Sequence, residues 1–162
     1  MGTSCCITLE NWIEIFAIVV NALVAWWIVR TIQNRLTNNR VLKDHFIEEI
    51  KDIRNEYRNF LNNLYAAKTE IRTIIPWFKL MNIRVSDLMT LIHQKYSIDQ
   101  QTLSPYQNDL RELVTESDEF NMQFKEGGNI IFSESTKTKL IEFQNTYNHL
   151  FNELIININD TK

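Results

Sequence analysis

The sequence has few of the residues that break or cross-link a chain. Its 162 residues include three glycines, two prolines and two cysteines. Because glycine and proline end helices and shape turns, their scarcity favours a chain of mostly long helices. Cys5 and Cys6 are adjacent, and neighbouring cysteines rarely bridge each other, so they are expected either to join separate chains or to stay free thiols. We assign them no function.

The motifs of several common active sites are also missing from the sequence. His93 and His149 have no cysteine or histidine at the spacing of metal ligands, and there is no glycine-rich loop for phosphate. Metal-ion, nucleotide-loop and catalytic-triad chemistry therefore have no support. We expect neither a metal ion nor a cofactor.

A long apolar run is present at residues 12–29. Its 18 or so residues would form a helix of about 27 Å, close to a hydrocarbon core of roughly 30 Å. About ten Ile, Leu, Phe and Val residues contribute about −3 to −6 kcal/mol to insertion, whereas even a central charge costs only about +3. A secretory signal peptide would need a basic start and a small-residue cleavage site, and neither is present. The run predicts one retained transmembrane helix.

Both edges of this predicted span carry residues typical of the membrane interface. Trp12 lies at one end and Trp26 with Trp27 at the other, where amphipathic rings favour the headgroup layer. Arg30 and Arg35 follow the span, whereas residues 1–11 contain no lysine or arginine. The positive-inside rule then places the amino terminus outside and the remainder of the chain in the cytoplasm.

The sequence therefore divides into a tail at 1–11, a transmembrane helix at 12–29, a cytoplasmic helical bundle at 30–157 and a polar tail at 158–162. Residues 30–95 contain 12 basic and 7 acidic side chains, whereas residues 96–162 contain 5 and 11. The basic half adjoins the membrane, where each cation gains about 1 kcal/mol from anionic lipid. These charges alone do not indicate nucleic-acid binding.

Apolar positions at steps of three and four predict that the anchor continues as one long helix to about Thr73, where Pro76 ends it. The polar residues 37–39 are the best candidate for a kink. Residues 77–81 would then form a connecting turn, and Ser86 would cap a helix ending near Tyr96.

Two further helices are expected after this point. Ser104 and Pro105 start one that runs to about Lys125, before Gly127 and Gly128 stop it. Residues 130–132 would be an extended piece or, preferably, a loop tucked into the core. The last helix begins near Ser135 and buries one stripe, Leu140, Phe143, Tyr147, Leu150, Phe151 and Leu154. Four helices after the anchor suggest an antiparallel bundle.

A polar and small-residue face runs along the predicted span. Glu14, Ala17, Asn21 and Ala25 are separated by steps of three or four and share one side of a helix. Polar residues within a span usually face protein or water, and small residues let helices approach closely. The face predicts self-association, in which the Asn21 side chains hold helices together or line a narrow pore. The alternative is a lone amide tolerated in a single anchor.

Arg40 and His45 form a second candidate site. In metal-independent RNA cleavage, an arginine can bind the phosphate while a histidine acts as general acid or base for attack by the 2′-hydroxyl. Arg30, Arg35, Arg40 and His45 are however five residues apart, a spacing that winds around a helix instead of forming one face. A solvated or lipid-facing collar is the preferred interpretation.

The sequence combines a short anchor, a long basic helix with Arg40 and His45, and an all-helical remainder. This layout resembles that of the small membrane-anchored accessory proteins of type VI-B CRISPR systems. That resemblance implies an all-α fold with a divergent HEPN-like bundle at the bacterial cytoplasmic membrane. It also implies antiviral defence, in which a homo-oligomeric pore strengthens an RNA-guided, RNA-targeting HEPN ribonuclease.

Three functions follow as hypotheses. The first is a homo-oligomeric single-pass pore that dissipates the membrane potential on infection. The second is a membrane-tethered ribonuclease, in which Arg40 binds the scissile phosphate of RNA and His45 moves the proton. The third is a non-catalytic scaffold or sensor, whose bundle binds a partner protein or a signalling nucleotide.

Overall fold

The computed structural model describes residues 9–161, and over this range the chain is all-helical. Six helices follow one another: α1 Leu9–Tyr65, α2 Ile71–Tyr96, α3 Ser104–Thr115, α4 Asp118–Gln123, α5 Glu134–Tyr147 and α6 His149–Asp160. Extended pairing among the described residues is limited to one antiparallel bridge between Glu70 and Asn129. The chain divides into two units within α1, Met1–Leu42 and Lys43–Lys162. Cys5, Cys6 and most of the predicted tail 1–11 lie outside the described residues.

Helix α1 has 57 residues and joins the predicted anchor to the first bundle helix, as the apolar spacing indicates. It is helical through residues 37–39, the best candidate for a kink, so the polar stretch does not end it. The helix ends at Tyr65, however, and not near Thr73. Ala67 adopts a left-handed conformation (φ 53°), and Lys68 N–H donates to the Asn63 carbonyl at 2.9 Å. This bond closes the last turn in the way that a Schellman motif does.

Helix α2 contradicts the prediction that Pro76 ends a helix. Pro76 lies inside α2, and so do the predicted connecting turn 77–81 and the predicted cap Ser86. Interior proline costs about 3 kcal/mol, but each large apolar side chain that is fully buried contributes about 1.5–3 kcal/mol. Apolar side chains on both sides of Pro76 are buried along one stripe, Ile71, Ile74, Phe78, Met81, Val85, Leu88, Met89 and Ile92. Burial of that stripe outweighs the lost backbone bond.

The segment after Ser104 forms two helices where one was predicted. Helix α3 begins at Ser104 with Pro105 in its first turn, as expected, but it ends at Thr115. Ser117 adopts an extended backbone, and its hydroxyl accepts a hydrogen bond from Phe120 N–H at 3.2 Å. That cap starts α4, which ends at Gln123 before Gly127 and Gly128, both of positive φ. The glycines stop the helical region as predicted.

The carboxyl-terminal region likewise has two helices in place of one. Ser133 caps α5, and α5 and α6 meet at Asn148. Most of the predicted stripe is buried, but Tyr147 and Leu150 are only half-buried. Helix α6 continues to Asp160, into the predicted polar tail. Ile130 and Phe132 are buried in a loop, which confirms the preferred interpretation of residues 130–132, although Ile131 is exposed.

An aromatic cluster joins four helices of the second unit. The Tyr57 ring of α1 meets Tyr106 of α3 at 4.9 Å between centroids and Trp77 of α2 at 5.4 Å, both edge to face. Tyr106 meets Phe151 of α6 at 5.0 Å. Such pairs add about 0.5–1.5 kcal/mol each beyond the area that they bury. The helical bundle is therefore organised around Tyr57 and Tyr106.

A hydrogen-bonded carboxylate connects α4 to α5. Glu119 Oε1 accepts hydrogen bonds from the Thr136 hydroxyl at 2.9 Å and from Ser133 N–H at 3.2 Å. Hydrogen bonding from Ser133 is the main cause that lowers the pKa of Glu119 from 4.5 to about 2, against the opposing effect of burial. The ionised carboxylate is the form that the folded chain prefers.

Replacing Glu119 by glutamine should destabilise the bundle at neutral pH by about 1 kcal/mol, since charge-assisted hydrogen bonds are lost at a partly exposed site. The folded pKa lies below the unfolded one, so this stabilisation is complete above pH 4.5 and disappears as the pH falls toward 2. Urea unfolding in detergent, followed by near-ultraviolet circular dichroism, measures the difference. The difference in unfolding free energy between the wild type and Glu119→Gln should decrease as the pH falls from 4.5 toward 2. Glu126→Gln, in an exposed turn, is the control and should show no such trend.

Candidate functional site

The most unusual surface of the described chain is the amino-terminal part of α1. Every large apolar side chain that is described between Trp12 and Val29 is exposed, for example Phe16 at 71% and Trp27 at 64%. Contiguous apolar surface of this extent marks an interaction with a membrane or with another protein. An 18-residue window of the helix has a mean hydropathy of 2.0, and none of it is buried. Among residues 9–161, this one helix is long and apolar enough to cross a membrane.

The polar and small-residue face is formed by backbone that is helical throughout. Glu14, Ala17, Asn21 and Ala25 all lie in α1, and all four are exposed. At 3.6 residues per turn they occupy about three turns of one side of the helix. Phe16 and Leu23, on the opposite side of the helix, are larger. The face is thus a narrow strip in which two alanines flank one amide.

The predicted interface residues bracket this stretch. Trp12, Trp26 and Trp27 are exposed, and the Arg30 guanidinium lies over the Trp26 ring at 5.2 Å from its centroid. A cation stacked on an aromatic ring gains about 0.5–1 kcal/mol at an exposed site. The side chain of Arg35 lies outside the described residues. Trp12 and Trp26 are separated by about 21 Å along the helix axis.

Arg40 and His45 occupy the middle of α1, Arg40 in the first unit and His45 in the second. Both side chains are exposed, and the His45 ring lies 5.9 Å from that of Phe46. Neither forms a hydrogen bond or an ion pair with any described residue. Their role as a catalytic pair stays a prediction.

The other histidines lie apart from them. His93 Nδ1 is 2.8 Å from the Ile98 carbonyl oxygen, an arrangement that ties the end of α2 to the loop behind it. His149 is exposed at the start of α6. Within residues 9–161, no three His, Cys, Asp or Glu side chains are grouped so that they could hold a metal ion.

A cavity of about 240 Å³ in the bundle was not predicted from the sequence. Tyr57 and Phe78 supply apolar walls, and Gln107 Nε2 donates to the Tyr57 hydroxyl at 3.3 Å. Burial raises the pKa of Tyr57 to about 12, so its hydroxyl stays protonated. Lys79 and Arg111 are the cations on its lining. No sequence signal identified this cavity, because α1, α2 and α3 each contribute residues to it.

Comparisons of the chain with protein-family models, with characterised proteins and with solved structures give no match.

The exposed apolar surface predicts a spectroscopic result. In bilayers of brominated lipid, the fluorescence of Trp12, Trp26 and Trp27 should be quenched, because bromine atoms on acyl chains quench indoles that lie at the edge of the hydrocarbon. A Trp77→Phe variant isolates this signal. Trp77 is half-buried and stacks on Phe60 with 3.7 Å between ring centroids, so it should escape quenching.

The matched control retains Trp77 alone and replaces the other three tryptophans by phenylalanine. Its emission should be insensitive to bromination. Equal quenching in the two variants would show that Trp77 of the bundle is as close to the acyl chains as the tryptophans of the exposed helix, and would contradict this prediction.

Proposed function

We propose that this chain is a single-pass membrane protein that self-associates through Glu14, Ala17, Asn21 and Ala25 and forms an ion-conducting pore. The observation that carries the proposal is an amide at the centre of the stretch from Trp12 to Val29, whose described large apolar side chains are all exposed. An apolar helix with no intramolecular cover fits a hydrocarbon environment. Its central amide then needs a partner.

The amide favours association of several copies. An amide without a hydrogen-bond partner in hydrocarbon costs several kcal/mol, and Asn21 has both donors and an acceptor to offer to neighbouring copies. Ala17 and Ala25, one turn to either side, let helices approach closely. A closed ring of helices would place one amide from each copy around a central axis. Such a ring is polar enough to admit water and small ions at its narrowest point.

The orientation in this proposal follows from the flanking charges. Residues 1–11 carry no lysine or arginine, whereas Arg30, Arg35 and Arg40 follow the span. The bundle is therefore assigned to the cytoplasmic side of a bacterial inner membrane. Arg30, stacked on Trp26, is suited to the headgroup layer at that edge.

The physiological setting that we propose is antiviral defence beside an RNA-guided, RNA-targeting HEPN ribonuclease. Its support is the resemblance in layout to the accessory proteins of type VI-B CRISPR systems. Opening of the pore during infection would dissipate the membrane potential, and so strengthen the protection that RNA cleavage provides. Direct contact with the ribonuclease is not required by this arrangement.

Asn21→Leu should abolish conductance while leaving the chain in the membrane, because leucine favours insertion but supplies no polar group. A potential-sensitive dye in induced cells and current recordings in planar bilayers measure the effect. Val19→Leu is the matched control. It adds one methylene about 160° around the helix from Asn21 and should conduct like the wild type.

A second variant tests whether conductance needs the amide on the small-residue face or only an amide somewhere in the span. Moving the amide, as Asn21→Val combined with Val19→Asn, keeps the composition of the span but takes the polar group off the small-residue face. Conductance should not return. Full depolarisation by this variant, or by Asn21→Leu alone, would contradict the pore proposal.

The ribonuclease alternative has its own test in His45→Ala. Since His45 is exposed outside the apolar stretch, a pore should depolarise the membrane normally in this variant. Cleavage of labelled RNA by the purified wild-type chain, lost on His45→Ala with conductance intact, would show that His45 carries a ribonuclease activity separate from the pore. The oligomer size serves as the control for folding.

A further inference from the structure

Two arginines of the bundle meet without a carboxylate between them. Arg54 and Arg58 are four residues apart on α1 and therefore lie on the same side of the helix. Arg54 donates to Asn148 Oδ1 from Nε at 3.0 Å and from Nη2 at 2.7 Å. Arg58 Nη2 donates to the same oxygen at 3.3 Å. One neutral amide oxygen thus serves two cations.

The remaining contacts of the pair are also neutral. Arg54 Nη1 donates to Asn152 Oδ1 at 3.0 Å. In the described part of the chain, carboxylate ion pairs form at Arg84 and at Lys137 but at neither of these two arginines. Arg84 shows the contrast, since it bonds to Glu49 at 3.2 Å and also to Glu56. Like charges at this spacing repel each other, so an opposite charge is the component that the site lacks.

The electrostatics of the site agree with a local excess of positive charge. Burial, followed by the charge of Arg58, lowers the pKa of Arg54. Each guanidinium has five N–H donors, and the two together make four hydrogen bonds to described side chains. Most of their donor capacity is therefore available to a ligand.

A small cavity opens beside the two guanidinium groups. It measures about 100 Å³, and its lining consists of Arg54, Arg58, Tyr106, Gln144, Asn145 and Asn148. Two cations and three side-chain amides line it, without any carboxylate. Its size suits one tetrahedral oxyanion, with any larger part of the ligand outside. Arginine forks match phosphate oxygens two at a time, which favours a phosphoryl group over a spherical anion.

We propose that Arg54 and Arg58 bind the phosphoryl group of a small free ligand, with Asn148 holding both guanidinium groups in place. A doubly charged phosphoryl group would balance both cations and accept several of their unused donors. The site lies wholly within the bundle and its assignment does not depend on the pore. Inorganic phosphate and pyrophosphate are the simplest probes of it.

The first experiment measures the affinity of the full-length chain for both probes. Calorimetric titration in uncharged detergent is carried out at constant ionic strength, because added salt screens such contacts. The wild type should bind saturably, and Arg58→Gln should weaken binding at least about tenfold. Arg72→Gln, which removes an exposed arginine of α2, is the matched control and should bind like the wild type. Absence of saturable binding, or equal loss in both variants, would overturn the proposal.

The second experiment uses Asn148→Asp, which keeps the shape of the side chain and adds the missing negative charge. Without phosphate, this variant should unfold at a higher temperature than the wild type, because both arginines gain an anionic partner. Its affinity for phosphate and pyrophosphate should fall at least about tenfold, since the built-in carboxylate replaces the ligand. Unchanged affinity in this variant would overturn the assignment, even if its stability rises.

A third comparison distinguishes ligand binding from a structural role of Arg58. If Arg58 only tethers Asn148, Arg58→Gln lowers the melting temperature equally with and without phosphate. If it binds the phosphoryl group, the wild type gains more from added phosphate than the variant does. Binding of single-stranded RNA or of short-chain phosphatidylglycerol, with no binding of either inorganic probe, would overturn the assignment to a small free ligand.

Discussion

The whole architecture depends on how one helix removes its large apolar side chains from water. From Phe46 to Leu64, α1 buries a stripe of apolar residues spaced mostly three or four apart, which α2, α3 and α6 contact through Trp77, Tyr106 and Phe151. From Trp12 to Val29 the same helix carries large apolar side chains around most of its circumference, and those described are not covered by other residues of the chain. A stripe suits a protein core, whereas all-round hydrophobicity suits lipid. A single continuous backbone therefore meets two different apolar environments.

The polar side chains beside the buried stripe are governed by the same constraint. Tyr57 is buried in the aromatic cluster, while Arg54, three residues before it, and Arg58, directly after it, keep their charged ends at the edge of the core. Asn148, at the junction of α5 and α6, and Asn152 of α6 accept hydrogen bonds from part of their donors. Amides can hold guanidinium groups without neutralising them. Beside Tyr106 this leaves a small cavity that is lined by both arginines.

Local sequence signals predicted the features that depend on local physics. The continuity of α1 from the anchor into the bundle, the start of α3 at Ser104 and the stop at Gly127 follow from periodicity, proline and glycine. No local signal marks the end of α1, because Ala67 is an uncommon residue in a left-handed cap. Pro76 misled the prediction, since burial on both sides of it outweighs its local cost. The break at Ser117 required recognising a serine cap within a helical pattern.

The two candidate sites also differ in whether local sequence signals could predict them. The face through Asn21 could be predicted because its four members lie on one helix at fixed steps. The arginine cluster could not, since Arg54 meets Asn148 across 94 residues of sequence and asparagine carries no charge to reveal the pairing.

The face through Asn21 and the arginine cluster both carry hydrogen-bonding groups that the side chains of the described chain do not fully satisfy. A central amide in hydrocarbon is best satisfied by the same amide of another copy, whereas two adjacent cations are best satisfied by an anion from solution. The amide at Asn21 therefore favours assembly in the membrane, and the positive charge at Arg54 and Arg58 favours a ligand. Because an amide and a pair of cations need different partners, each site can be satisfied without the other.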